Sequence, residues 1–178
     1  LSREVMVKIT GGAWSKKGIK TAVEYISHNR QEEIIDSNGI SYKTKEEIES
    51  AVKILQGNVV ASDKEKEKKV KLTHNIMFSA PRIAGVKKED AINAVKKALN
   101  EKYPDNYFVM AYHGETKNPH VHVVLNINKN TGERIDIRKK DLRDIREGFC
   151  KNLIEFGYDV KATKKYGIRS EEYEELME

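Results

Sequence analysis

Three of the chain's five histidines, His113, His120 and His122, fall within ten positions, and their spacing suits metal chemistry. His120 and His122 alternate with apolar residues in the run His120-Val-His-Val-Val-Leu125, the pattern of a strand. Side chains two apart in a strand share a face, so these imidazoles stand side by side. Upstream, Tyr107-Phe-Val-Met-Ala-Tyr-His113 reads as a second strand, and Gly114 to Pro119 supplies turn residues between the two. A hairpin of this form carries His113 to the other two. A lone strand histidine would be read as solvated or hydrogen-bonded, but several titratable rings gathered together need compensation. Three neutral imidazoles suit a divalent cation with open coordination positions. A purely structural metal favours four closed ligands and cysteine, and the one cysteine, Cys150, falls in a predicted helix. Glu115 and His74 are open as a fourth ligand or as orienting residues.

The elements that must position these histidines follow from periodicity. Val5 to Ile9 reads as a buried strand ended by Thr10-Gly11-Gly12. A loop with Lys16, Lys17 and Lys20 leads to a short helix from about Ile19 to Ser27, with Ile19, Val23 and Ile26 at helical spacing. Asp36-Ser-Asn-Gly39 signals a turn, and Thr44-Lys-Glu-Glu47 a capping box opening a helix to about Leu55. Asp63 to Lys69 is a charge run, read first as a solvated face. Val70 to Ser79 is a long strand broken by Pro81, and an amphipathic helix covers roughly Lys88 to Leu99. After the histidine hairpin come a turn at Asn128 to Gly132, a short strand at Arg134 to Ile137, and a helix from Asp141 ended by Gly157. A basic stretch, Lys161 to Arg169, precedes an acidic end. This order predicts one α+β domain over residues 1–178, a central antiparallel sheet flanked by helices, with an insertion at 34–69.

Composition narrows the partners. A chain of 178 residues, 34% charged, with net charge +5, is compatible with a polyanion without requiring one. No apolar run approaches the ~18 residues of a membrane span, so no membrane insertion is expected. One cysteine excludes an intramolecular disulfide framework and fits a reducing cytoplasm. A chain opening Leu1-Ser2 is expected to be the N-terminal fragment of a longer protein.

The phrase His113-x-Glu115-x-x-x-x-His120-Val-His122 between two apolar strands resembles motif III of conjugative relaxases, which belong to the HUH endonucleases. The likeness is closest to the MobP-type, MobA/VirD-like plasmid mobilisation proteins. Val5 to Gly12 with Tyr25-Ile-Ser-His-Asn29 resembles their motif I, and Leu72 to Pro81 their motif II, so it covers roughly Val5 to Tyr158. Many members carry aspartate where Glu115 stands.

The resemblance implies an HUH-like fold and a site- and strand-specific DNA nickase and strand transferase. A tyrosine attacks the scissile phosphate, leaving a 5′-phosphotyrosyl link, with a divalent metal on the three histidines: Mg²⁺ or Mn²⁺ first, Zn²⁺ or another transition metal second. The implied partners are single-stranded DNA at a plasmid or mobile-element transfer origin, accessory relaxosome proteins and a coupling or secretion apparatus, in the bacterial cytoplasm. Tyr25 matches the motif I nucleophile. Its helical position, beside Ala22 on the border of the Ile19/Val23/Ile26 stripe, predicts a buried ring with its hydroxyl at a cleft. Tyr112 and His28 are the other candidates, although alternation turns Tyr112 to the opposite sheet face. Lys16, Lys17, Lys20, His28, Arg30, Ser79 and Arg82 are candidate DNA contacts. Competing readings are a rolling-circle replication initiator, a single-strand transposase of the same class, and a non-catalytic nucleic-acid-binding domain with a structural metal.

Overall fold

A computed structural model describes residues 2–57, 70–115 and 117–163. The elements run β1 (Met6–Ala13), α1 (Lys16–Ile26), β2 (Ile34–Asp36), β3 (Ser41–Tyr42), α2 (Lys45–Gly57), β4 (Thr73–Ser79), a 3-10 turn (Arg82–Ala84), α3 (Lys88–Lys102), β5 (Phe108–His113), β6 (His120–Asn126) and α4 (Lys139–Glu155). The strands form one six-stranded sheet in the order β1-β4-β6-β5-β2-β3, antiparallel at every pairing. The α+β architecture expected from the sequence is the one observed.

Alternation along the strands feeds two cores. Phe108 and Met110 of β5, Val121, Val123 and Leu125 of β6, and Ile76 and Phe78 of β4 pack against α3 and α4. Phe78 meets Phe149 of α4 edge to face, with ring centroids 5.2 Å apart; fully burying such rings contributes roughly 1.5–3 kcal/mol each. On the other face Val109, Ala111 and Val124 pack under Ile19, Val23 and Ile26 of α1 and Ile48, Val52 and Leu55 of α2. The histidines project to this second face, at the end that the helices leave uncovered.

Helix ends follow their local chemistry. Ser15 caps α1 by accepting from the Gly18 amide at 3.0 Å, and Thr44 and Glu47 bond reciprocally to each other's amides as a capping box. Gly157 ends α4 with φ of +98°, a conformation that costs glycine least. β1 carries a register shift between Ile9 and Gly11, a bulge that twists the sheet edge.

The described part of the stretch 34–69 takes part in the fold: β2 pairs with β5, and α2 contributes to the core. The lock is Asp36, fully buried, which accepts from the Tyr42 and Tyr107 hydroxyls at 2.7 and 3.0 Å and from the Asn38 and Ile40 amides. One expectation changes. The strand expected at Arg134 to Ile137 reduces to a single bridge between Asn128 and Arg134, with Ile135 and Ile137 packed against the first core and Arg134 and Asp136 exposed. The charge run at Asp63 to Lys69 and the basic residues from 164 onward lie outside the described residues.

Candidate active site

The β5–β6 hairpin places His113 directly opposite His120, and His122 opposite Ala111. The His113 and His122 ring centroids are 4.4 Å apart, those of His120 and His122 5.8 Å. Burial holds the His122 imidazole down at about 4, helped by His113, His120 and His28. His120 is lowered by burial, then by His113 and Lys8. Both rings are therefore neutral at ordinary pH, the form that ligates a cation.

His113 is held from the second core. Its Nε2 lies 2.8 Å from the carbonyl oxygen of Ile26, the last residue of α1, so the ring N–H donates there. Histidines that bind metals commonly give one N–H to a carbonyl or carboxylate and keep the other nitrogen for the ion. The donor set fits a divalent cation in this respect.

A fourth histidine, not weighed as a ligand from the sequence, joins the cluster. His28 stacks on His113 with centroids 4.6 Å apart, and its Nδ1 lies 2.8 Å from Glu32 Oε2. Among the described residues, the donor atoms already within 4.8 Å of one another belong to His28, Glu32 and His113. The three motif histidines share the face but are gathered less tightly than that set. His28, Asn29 and Arg30 all have positive φ, between 48° and 65°, a run that costs roughly 1–2 kcal/mol per residue. Buried Ser27 offsets it: its carbonyl accepts from the Gln31 and Glu32 amides, and its hydroxyl from the Arg30 amide.

The remaining candidates divide. Ser79 is buried beside His120 in the β4–β6 register and joins the site's face. Lys8 shares that face through Met77, a neighbour visible only once the β1–β4 register is known. His74 points to the opposite face: it is in step with Ile76 and Phe78, pairs with Leu125 at the far end of β4, and is surrounded by Lys71, Arg134 and Asp136. It does not reach the cluster. Glu115 lies on the rim of a cleft of about 440 Å³ that also involves His28, Glu32, Tyr112 and Lys88; the carboxylate bonded to a clustered histidine is Glu32.

Arg82 is a clamp. Its Nε donates to the Lys117 carbonyl at 2.9 Å and its Nη2 to the Gly114 carbonyl at 3.1 Å, gripping the loop between the histidine strands. Arg30 pairs with Glu49 at 3.3 Å and Glu24 at 4.0 Å, and Lys20 with Glu49 at 3.9 Å, so these charges are largely answered within the protein. Lys16 and Lys17 are exposed in the first turn of α1. Tyr25, one residue before Ile26, is 73% exposed. Its ring is not buried as expected, because the core stripe of α1 ends on Ile26 and Tyr25 falls outside it. Tyr112 packs toward the α3/α4 core as alternation requires, with its ring edge beside Gly114, where an added Cβ would lie 2.6 Å away.

The MobA/VirD2-like relaxase nuclease-domain family model matches residues 25–157, from Tyr25 through the histidine hairpin to Gly157. The chain belongs to this relaxase family, DNA nucleases that nick at transfer origins and are generally metal-dependent. No curated protein and no solved structure matches it. Among the described residues no helix is long and apolar enough to cross a membrane.

Proposed function

We propose that this domain cleaves one DNA strand at a specific site by attack of the Tyr25 hydroxyl on the scissile phosphate. The observation that carries the reading is the contact between His113 and the Ile26 carbonyl, which ties the residue after the tyrosine to the histidine cluster. The exposure of Tyr25 suits it to meet a phosphate without disturbing the core.

In the reaction the Tyr25 Oη–P bond forms as the P–O3′ bond breaks. The tyrosine proton passes to a base, and the departing 3′ oxygen gains a proton to become a free hydroxyl. Tyrosine's pKa of about 10 makes that proton transfer part of the barrier. The 5′-phosphotyrosyl link conserves the phosphodiester's energy, so the strand can be rejoined. His113, His120 and His122 would hold the divalent ion, Mg²⁺ or Mn²⁺ by the chemistry of phosphoryl transfer, with Zn²⁺ compatible with imidazole donors. Such an ion, when bound, offsets negative charge on the phosphoryl oxygens. Ser79 and Lys8 share the histidines' face, and there they would meet the phosphate.

The substrate is single-stranded DNA at the transfer origin of a plasmid or mobile element, presented with accessory relaxosome proteins and a transfer apparatus in the bacterial cytoplasm. Incubation with a single-stranded origin oligonucleotide and Mn²⁺, followed by peptide mapping of the covalent adduct, tests it. The adduct is expected on Tyr25. An adduct on Tyr112 or His28, or its survival in Tyr25→Phe, overturns the assignment.

A further inference from the structure

The chain's one tryptophan lies at the opposite end of α1 from Tyr25, and neither the histidine cluster nor the cores use it. Trp14 joins β1 to α1 and is 52% exposed. Lys71 lies over it, with Nζ 5.7 Å from the ring centroid. The placement of Lys71 is built. A Cβ on Gly12 would sit 2.4 Å from the Thr73 carbonyl oxygen, so the strand is bare there, and the Lys71 stem lies across it with Cε 2.1 Å from that same point. The Arg134 guanidinium donates to the Lys71 carbonyl at 2.7 Å, and the next amide, that of Leu72, donates to the Ala13 carbonyl at 2.7 Å.

Between this ring and Tyr25 runs α1, which begins two residues after Trp14. Lys17, Thr21 and Tyr25 are all exposed and four residues apart, so they form one stripe along that helix. The first turn holds Lys16 and Lys17 and no acid, against the preference of the helix dipole and suited to an anion. An exposed aromatic ring beside cations, aligned with a nucleophile, is the chemistry of a single-strand path, in which bases stack and phosphates are neutralised without reading sequence.

We propose that Trp14 and Lys71 form a base-stacking subsite for single-stranded DNA, reached by the strand along the Lys17–Thr21–Tyr25 stripe. The proposal rests on the nicking function above. At 1.5 Å rise per residue, the helix from Lys16 to Tyr25 is about 14 Å long, the span of roughly four nucleotides stacked at ~3.4 Å. The subsite therefore holds DNA a short way from the nick and tolerates any base there.

Because Trp14 is the only tryptophan, fluorescence excited at the red edge, beyond the absorption of the eight tyrosines, reads that ring alone. The probe is oligo(dT) of 16 nucleotides, unlabelled for quenching and fluorescein-labelled for anisotropy. Saturable quenching that tracks the anisotropy isotherm is expected. Trp14→Ala should weaken binding roughly ten-fold, with Trp14→Phe recovering most of it. Lys71→Ala should lower the salt slope by about 0.7, one single-strand phosphate contact. Binding by anisotropy without quenching, or unchanged affinity in Trp14→Ala, overturns the subsite and leaves the nicking function standing. No binding of the oligonucleotide at all overturns both.

Discussion

His28 stacks on His113, their planes 20° from parallel, although one follows the end of α1 and the other ends β5. Glu32 fixes the ring of His28 through Nδ1. With the Ile26 carbonyl on its Nε2, His113 is thus restrained on its face and along its edge. Freeing His28 leaves that ring more motion to lose when an ion binds. Glu32→Gln should lower Mn²⁺ affinity about ten-fold, in line with other groups that orient metal ligands. Calorimetry checks it; unchanged affinity would mean that the stack does not position His113.

The exposure of Tyr25 makes a second expectation simple. Removing its hydroxyl should change stability by less than about 0.5 kcal/mol, as for most surface substitutions, while abolishing adduct formation. Urea unfolding of Tyr25→Phe beside a cleavage assay separates the two. A variant that lost both would point to a structural hydroxyl.

Arg82 bonds the loop that joins the histidine strands, at the Gly114 and Lys117 carbonyls. Arg82→Ala should loosen the hairpin's closed end, at a cost of about 1 kcal/mol or somewhat more for charged-group hydrogen bonds. Mn²⁺ affinity should fall several-fold, because His113 and His120 flank that loop. If Arg82 served DNA alone, its loss would weaken oligonucleotide binding and leave the metal isotherm untouched.

The buried carboxylate of Asp36 ties β2 to β3 and β5 through four accepted hydrogen bonds. An amide at this position turns an acceptor into a donor facing two hydroxyls. Asp36→Asn should destabilise by about 2–4 kcal/mol, seen as a lower urea midpoint at unchanged slope. Burial also raises the phenols of Tyr42 and Tyr107, so neither should ionise in the folded chain near pH 10.

Acid should weaken the metal-free protein before its carboxylates titrate. Burial, with Lys71 and Arg134 nearby, lowers His74 to about 4, and burial with the other histidines lowers His122 to about 4. Each binds its proton more weakly folded than unfolded. Their stabilisation is therefore complete above about pH 6.5 and is lost as pH falls toward 4. The loss is roughly 1–2 kcal/mol for each imidazole once solvent screening is allowed for. Glu47 and Asp141 are lowered by hydrogen bonds from backbone amides, and their contribution is lost below their ordinary values of 4.5 and 3.8. Unfolding of His74→Gln between pH 7 and 5 should show a shallower slope than the parent; an identical slope would refute the assignment.

Local signals in the sequence were sound where the physics is local. Alternation placed His120 and His122 together and turned Tyr112 away, and Thr44-x-x-Glu47 marked a real helix start. The misses are long-range. β2 is three residues long and contains Asp36, so nothing in its composition announces a strand; it exists because β5 offers an edge and two tyrosines satisfy the carboxylate. Glu115 was the obvious acid by sequence, yet Glu32 meets a clustered histidine because a left-handed turn brings it there. His74 lies in a correctly read strand, but its separation from the cluster depends on face and register along β4. The exposure of Tyr25 follows from its angle on α1: at about 100° per residue it stands away from the Ile19/Val23/Ile26 stripe rather than on its border.

The bulge in β1 bears on how the molecule behaves among its own copies. An eight-residue edge strand is a template for adding foreign strands, the route to aggregates. The interrupted register at Ile9 and Gly11 breaks that template near its middle, and exposed Lys8 sets a charge beside the break. At the other edge β3 offers two residues, too few to nucleate a ladder. The sheet thus stays open without inviting company, and its wet end is left to ligands rather than to other sheets.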